Sequence, residues 1–193
     1  MQPRSYSILP EHYEAVSALI AADAFRMACL TALRSMALPQ GYIGAGFLRN
    51  AIWDALHNKA FATPLNDVDV IYFCPNSTQS QDKHIEAELA RLMPDVNWQV
   101  KNQARMHLLH GHEPYASCEE AISYWVERET CVAIKLNDND KLELLAPFGL
   151  TSSFEGSLSI NPMHGRPDVF RARVEAKQWL TQWPKLRLEK ETF

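Results

Sequence analysis

Two short stretches of this chain hold residues that can do chemistry together. Asp67 and Asp69 alternate within Asp67 to Phe73 (DVDVIYF), a β-branched and aromatic run that reads as a strand. Successive side chains of a strand point to opposite faces, so the two acids share one face with their Cα atoms about 7 Å apart. Carboxylates so placed repel each other unless a cation lies between them. Mg²⁺ takes carboxylates together with phosphate oxygens, and such a pair is a natural seat for it. About twenty residues earlier stands Gly44-Ala45-Gly46-Phe47-Leu48-Arg49-Asn50, a glycine turn between a short apolar run and a helical pattern. Without Cβ atoms a backbone comes close to a phosphate, and the N–H groups at the start of the next helix point at it. Arg49 would add a charged fork. Metal on the strand and phosphates on the turn make an arrangement for phosphoryl or nucleotidyl transfer.

These residues need elements to position them. Apolar residues recur at helical spacing from Glu11 to Met36, with a break near Ala22 after which Asp23 caps a second helix. Pro39 ends that stretch. Tyr42 to Phe47 suits a strand leading into the turn. Arg49 to Asn58 reads as a short helix with Ile52, Trp53 and Leu56 on one face. Asp82 to Met93 is helical, and Asn97 to Asn102 reads as a strand. Ser117 to Glu120 fits a capping box and predicts a helix through Trp125. Thr130 to Leu136 and Lys141 to Leu145 read as strands joined by the polar turn Asn137 to Asp140. Asp168 to Trp183 reads as one amphipathic helix that Pro184 ends. The alternation predicts an α+β (mixed α/β) fold, a small sheet flanked by helices with an N-terminal helical segment and a C-terminal helix. We expect one domain over 1–193: N-terminal helices over 1–38, a catalytic-type core over 39–150 and a C-terminal segment over 151–193.

Composition narrows the class. The 193 residues carry 19 Lys and Arg against 23 Asp and Glu, a net charge of -4, which argues against coating nucleic acid by charge alone. No run approaches the roughly 20 apolar residues of a membrane span, and the first fifteen residues lack the apolar core of a signal peptide. Cys29, Cys74, Cys118 and Cys131 form no Cys-x-x-Cys pair and read as reduced thiols of a cytoplasmic protein.

The turn and the strand together resemble the signature of the DNA polymerase β-type nucleotidyltransferase superfamily, a small residue-Gly-x-x-Arg-(Asp/Asn) turn followed by Asp-x-Asp on a strand. Ala45 to Asn50 is similar to the Gly-Gly-x-x-Arg-Asp of tRNA CCA-adding enzymes and poly(A) polymerases. GAGFLRNAIWD, NDVDVIYF, WQVKNQARMH and LELLAPFGL resemble a bacterial nucleotidyltransferase-like family, from about Ile43 to Leu150 and more weakly through RPDVFRARVEAKQWLTQWP. The resemblance implies an NTP as substrate, Mg²⁺ on Asp67 and Asp69, and the nucleotide at Gly44, Ala45, Gly46, Arg49 and Asn50. It implies transfer of a nucleoside monophosphate to an unidentified small-molecule or macromolecular acceptor. The superfamily usually adds a third carboxylate from a neighbouring strand, which helps activate the attacking hydroxyl. Here NWQVKNQ carries no acid. Gln99 or Asn102 stands at that place, Glu143 is another candidate, and Asp95 falls just before the strand. Arg105 is a further candidate, on a phosphate. A missing third acid weakens proton removal, so the alternative is a weak or inactive nucleotide- or phosphate-binding module of the same fold. RNA-end processing is a weaker alternative, against which the acidic charge counts.

Other clusters read more plainly. His107, His110 and His112 look like metal ligands, but their spacing fits neither one helix face nor one strand, so a polar loop is the better reading. Arg171, Arg173 and Lys177 give the tail helix a basic side, usually a solvated face, with a role in holding a triphosphate or RNA as the lesser alternative. Trp53, Trp125, Trp179 and Trp183 sit at apolar helical positions and read mostly as core.

Overall fold

A computed structural model describes residues 7–189. The first six residues, part of the stretch read above for a leader, and the last four lie outside the described residues. Helix α1 (Pro10–Ala21) opens on a proline, whose missing N–H is not needed in a first turn. Asp23 then caps α2 (Ala24–Ser35), accepting from the Arg26 N–H at 2.9 Å. The two helices meet at 96°, and among the described residues no single helix is long and apolar enough to cross a membrane. The chain continues through β1 (Tyr42–Gly44), α3 (Gly46–Leu56), β2 (Val68–Tyr72), α4 (Gln79–Leu92), β3 (Trp98–Asn102), α5 (His107–His110) and α6 (Cys118–Ile122). It closes with β4 (Ala133–Leu136), β5 (Leu142–Leu145), α7 (Thr151–Glu155), β6 (Ser157–Leu158), α8 (Pro167–Ala176), α9 (Trp179–Gln182) and β7 (Arg187–Leu188).

This is the expected α+β class, a five-stranded sheet flanked by helices in the order β3-β2-β1-β4-β5. β2 and β3 run parallel and α4 makes the crossover between them; the other pairs are antiparallel. Alternation along β2 sorts the two faces. Val68, Val70 and Tyr72 enter the main core, with Val16, Ile20, Leu30, Leu33, Phe47 and Leu48 from α1 to α3. Ile71 points to the other face, where it packs with Tyr42, Cys118, Ile122 and Ala133. Asp69, two residues before Ile71, shares that second face. A third apolar cluster joins Trp53 of α3 to Phe170, Val174, Trp179 and Trp183 of the tail.

Several boundaries differ from the sequence pattern. α3 starts at Gly46 rather than Arg49, so the glycine turn is itself the first turn of the helix. α6 stops at Ile122 instead of running through Trp125, because Asn161 Nδ2 donates to the carbonyls of Ser123 and Trp125 at 2.5 and 2.7 Å. Arg128 to Thr130 form a 3₁₀ turn ahead of β4. The tail is two helices: Gln178 takes φ 51° and separates α8 from α9. Val174 and Trp179 are five residues apart, about 140° around a straight helix, and the break lets both enter one cluster.

Candidate functional site

Asp67 and Asp69 lie at the start of β2, beside the end of β1. The antiparallel pairing of Tyr42 with Ile71 and Ile43 with Val70, continued by one residue, sets Gly44 opposite Asp69. The sheet thus brings the glycine turn and the acid pair together. Among the described residues neither carboxylate has an ion pair within 4 Å. Asp67 accepts one hydrogen bond, from Gln99 Nε2 at 3.3 Å. Burial, and then the charge of Asp67, push the Asp69 carboxyl above the usual carboxylate range; Lys101, Lys177 and Arg49 pull the other way. Two uncompensated acids on one face fit a divalent cation.

The turn is built from a strained residue and two different glycines. Ala45 takes φ 55° and ψ -123°, an unfavourable region for a residue with a Cβ. Its N–H donates to Val132 O at 2.9 Å and its carbonyl accepts from Arg49 N, which lock it between β4 and α3. A side chain on Gly44 would meet the Trp125 ring at 2.9 Å, so that glycine is required by packing. A Cβ on Gly46 would lie 3.3 Å from the Arg49 guanidinium and 3.5 Å from Asn50 Oδ1.

Arg49 is 6% exposed. Its Nη1 donates to Thr130 Oγ1 at 2.6 Å and its Nη2 to Asn50 Oδ1 at 3.0 Å. Trp53 and Trp179 stack on its guanidinium at 4.8 and 4.5 Å. Burial draws its pKa down to about 10, still charged at neutral pH, with Glu127 opposing the shift. In this structure Arg49 and Asn50 brace the turn from behind; the expected fork toward a phosphate is folded inward.

The neighbouring strand answers the question of the third acid. β3 pairs with β2 so that Gln99 stands in register with Asp69. The neutral amide of Gln99, rather than a carboxylate, borders the acid pair. Asn102 lies elsewhere: it is fully buried, accepts from Cys74 N at 3.1 Å and donates to Cys74 O at 2.6 Å. Arg105 donates to Ser77 O and pairs with Asp82 at the base of α4. Glu143 sits on the far edge strand, bonded to Lys135 and Asn137 at 2.8 Å each. Asp95 is exposed in the turn before β3.

The remaining clusters also find places. Among the described residues no three His, Cys, Asp or Glu side chains are arranged to hold a metal. His112 bonds the Tyr115 hydroxyl at 2.6 Å and packs on Tyr124 at 4.6 Å. Trp53 meets Trp179 and Trp183 edge-on, which makes all three core residues. Arg173, expected on a solvated face, binds the fully buried Glu127 at 2.7 Å. Lys101 was not singled out from sequence, and its signal was its alternation with Gln99 on β3. Lys177, just past the end of α8, belongs to the basic side read on the tail helix.

A family model described as nucleotidyltransferase matches residues 31–188. No curated protein matches. Among solved structures, an NMR structure described as a CCA-adding enzyme head domain is 28% identical, with a TM-score of 0.80; the match covers 92% of this chain and 96% of that one. A CCA-adding enzyme in complex with CTP is similar at 15% identity and TM-score 0.61, covering 91% of this chain and 43% of that one. The Thermotoga maritima CCA-adding enzyme complexed with tRNA is similar at 16% identity and TM-score 0.59, over 91% and 42%. The last two share the fold, and this chain spans less than half their length. With its turn, its strand and 158 matched residues between 31 and 188, the chain belongs to this nucleotidyltransferase family.

Proposed function

We propose that the chain transfers a nucleoside monophosphate from an NTP to an acceptor hydroxyl, with Mg²⁺ held by Asp67 and Asp69. The observation that carries the reading is the acid pair itself: two carboxylates on one face, free of ion pairs, beside a strained turn at the start of α3. A bound divalent ion would screen the phosphates and stabilise charge on the reacting oxygens. The chain's own part is positioning. The backbone N–H groups of Gly46 and Phe47 open α3 toward the phosphates, Ala45 fixes their direction, and Arg49 with Asn50 holds the turn rigid. Gln99 orients Asp67 through its amide. The CTP-bound neighbour supports nucleotide use, and the reading suits a cytoplasmic enzyme.

Gln99 favours a second reading, a nucleotide-binding module of low transfer activity. An amide does not accept a proton as a carboxylate does, so the acceptor hydroxyl has no evident base on β3. The tRNA-bound neighbour makes an RNA end one acceptor to include in any screen. The test is calorimetric titration with each NTP, with and without Mg²⁺, on the wild type and on Asp67→Asn/Asp69→Asn, followed by transfer assays on tRNA and small hydroxyl acceptors. Mg²⁺-dependent binding lost in the double variant supports the site. Binding without turnover on any acceptor selects the module, and no NTP binding by the wild type overturns both readings.

A further inference from the structure

Three elements next to the acid pair carry cations: Arg49 on α3, which begins at the glycine turn, Lys101 on β3, which pairs with β2, and Lys177 at the α8–α9 joint, which Trp179 ties to Arg49. Arg49 is buried and engaged. The two lysines are exposed, and among the described residues neither has an ion pair within 4 Å. Lys101 lies two residues beyond Gln99 on the same face of β3 and makes one long hydrogen bond, 3.5 Å from Nζ to Gln99 Oε1.

The joint is fixed in place. Gln178 takes a left-handed conformation, φ 51° and ψ 35°, and directs Trp179 back onto Arg49 at 4.5 Å. Arg49 belongs to the first turns of α3, beside Gly46. Trp179, 3% exposed, therefore pins the joint over the start of α3, and Lys177 is carried there two residues earlier. A triphosphate bound with one divalent ion keeps a net negative charge. In this cleft it would also face two carboxylates, so cations of the chain must meet its far end.

We propose that Lys101 and Lys177 form the seat for the terminal phosphates of a nucleoside triphosphate, which makes the C-terminal joint part of the substrate site. The proposal rests on the reading of Asp67 and Asp69 as a metal–nucleotide site. It predicts selectivity by phosphate count. A lysine that meets only the terminal phosphates adds nothing to the binding of a monophosphate, whereas each charge-assisted contact to the triphosphate is worth about tenfold in affinity.

The experiment is titration of wild type, Lys101→Gln, Lys177→Gln and the double variant with ATP, CTP, AMP, CMP and inorganic tripolyphosphate in MgCl₂. Both lysines are exposed, and circular dichroism verifies the fold of each variant. Expected is a loss of about tenfold per lysine for the triphosphates and tripolyphosphate, with AMP and CMP changed less than about twofold. Equal losses for mono- and triphosphates, or none, overturn the proposal while leaving an Asp67- and Asp69-dependent nucleotide site intact. Lysine-dependent tripolyphosphate binding with no binding of any NTP does the reverse: the phosphate seat stands and the nucleotide reading falls. A wild type that binds neither tripolyphosphate nor an NTP overturns the seat.

Discussion

Asp69 and Glu129 are both acids pushed upward in pKa by burial, yet the fold treats them differently. Glu129 is met at contact distance: Ser159 donates its N–H at 2.9 Å and its hydroxyl at 2.7 Å. The other buried acids behind the site are held the same way. Glu127 takes the Arg173 guanidinium at 2.7 Å, and Asp54 takes Trp183 Nε1 at 2.7 Å and the Thr63 N–H at 2.7 Å. Asp69 accepts no hydrogen bond among the described residues and is opposed only from a distance, with the like charge of Asp67 beside it. Acids that hold the structure together have been given partners. Acids at the cleft have been left without a cation in contact, which is the state a bound metal ion relieves.

The contrast breaks if removing the cleft acids harms the fold, or if removing the inner acids does not. Asp67→Asn/Asp69→Asn is expected to lower transfer by at least about 10²-fold, the scale on which a single charge-stabilising group acts. Its metal-free melting temperature should stay equal to wild type or rise, since like-charge repulsion has gone. Activity assays and thermal melts read both at once; a lower melting temperature would place the pair among the structural acids. Glu127→Ala should instead destabilise by about 3 kcal/mol, because it strands the buried side of the Arg49 and Arg173 cluster. Urea denaturation measures this, and a loss below about 1 kcal/mol would make Glu127 no different from a surface acid.

The outer half of this contrast is legible in the sequence. Asp67 and Asp69 read as cofacial from period-two alternation, and the glycine turn reads from its place between a strand and a helix. Both are local patterns. The inner half is not local. Arg49 looks like a phosphate ligand because it follows the glycines, but Thr130 lies 81 residues on and Trp179 farther still, and they decide where its guanidinium goes. Gly44 reads as room for a phosphate, and nothing local says that a Cβ there would also meet the Trp125 ring. The tail reads as one helix because helical spacing runs through it, while its break depends on where Trp179 must pack. Strand order was illegible for the same reason: nothing within DVDVIYF says that its parallel neighbour is NWQVKN.

Gln99→Glu sharpens the comparison by adding a third acid where the sheet already points one. The new carboxylate would stand in register with Asp69 and beside Asp67. It should lower metal-free stability by about 1 kcal/mol through repulsion and enlarge the rise in melting temperature that MgCl₂ or MnCl₂ produces. Thermal melts with and without the metal, and transfer assays of the same samples, measure both effects. An unchanged metal response would mean that Gln99 does not border the cation seat.

The smallest effect is a pH dependence, and its sign follows from the direction of one shift. Burial raises the folded pKa of Asp69 above its value of 3.8 in an unfolded chain. Between those two values the folded protein holds a proton that the unfolded chain has released. Stability from this group is therefore greatest below the ordinary value and falls as pH rises through the window, then stays level above it. Asp69→Asn cannot titrate and lacks this fall. The stability of Asp69→Asn relative to wild type should climb from about pH 4 upward and flatten once Asp69 is ionised. Metal binding moves oppositely, since the cation needs the ionised carboxylate and binds more tightly as pH rises through the same window. Paired melts of wild type and Asp69→Asn across pH, each with and without MgCl₂, separate the two trends. A difference that does not vary with pH would mean that Asp69 is as well solvated as a surface acid, and its contrast with Glu129 would disappear.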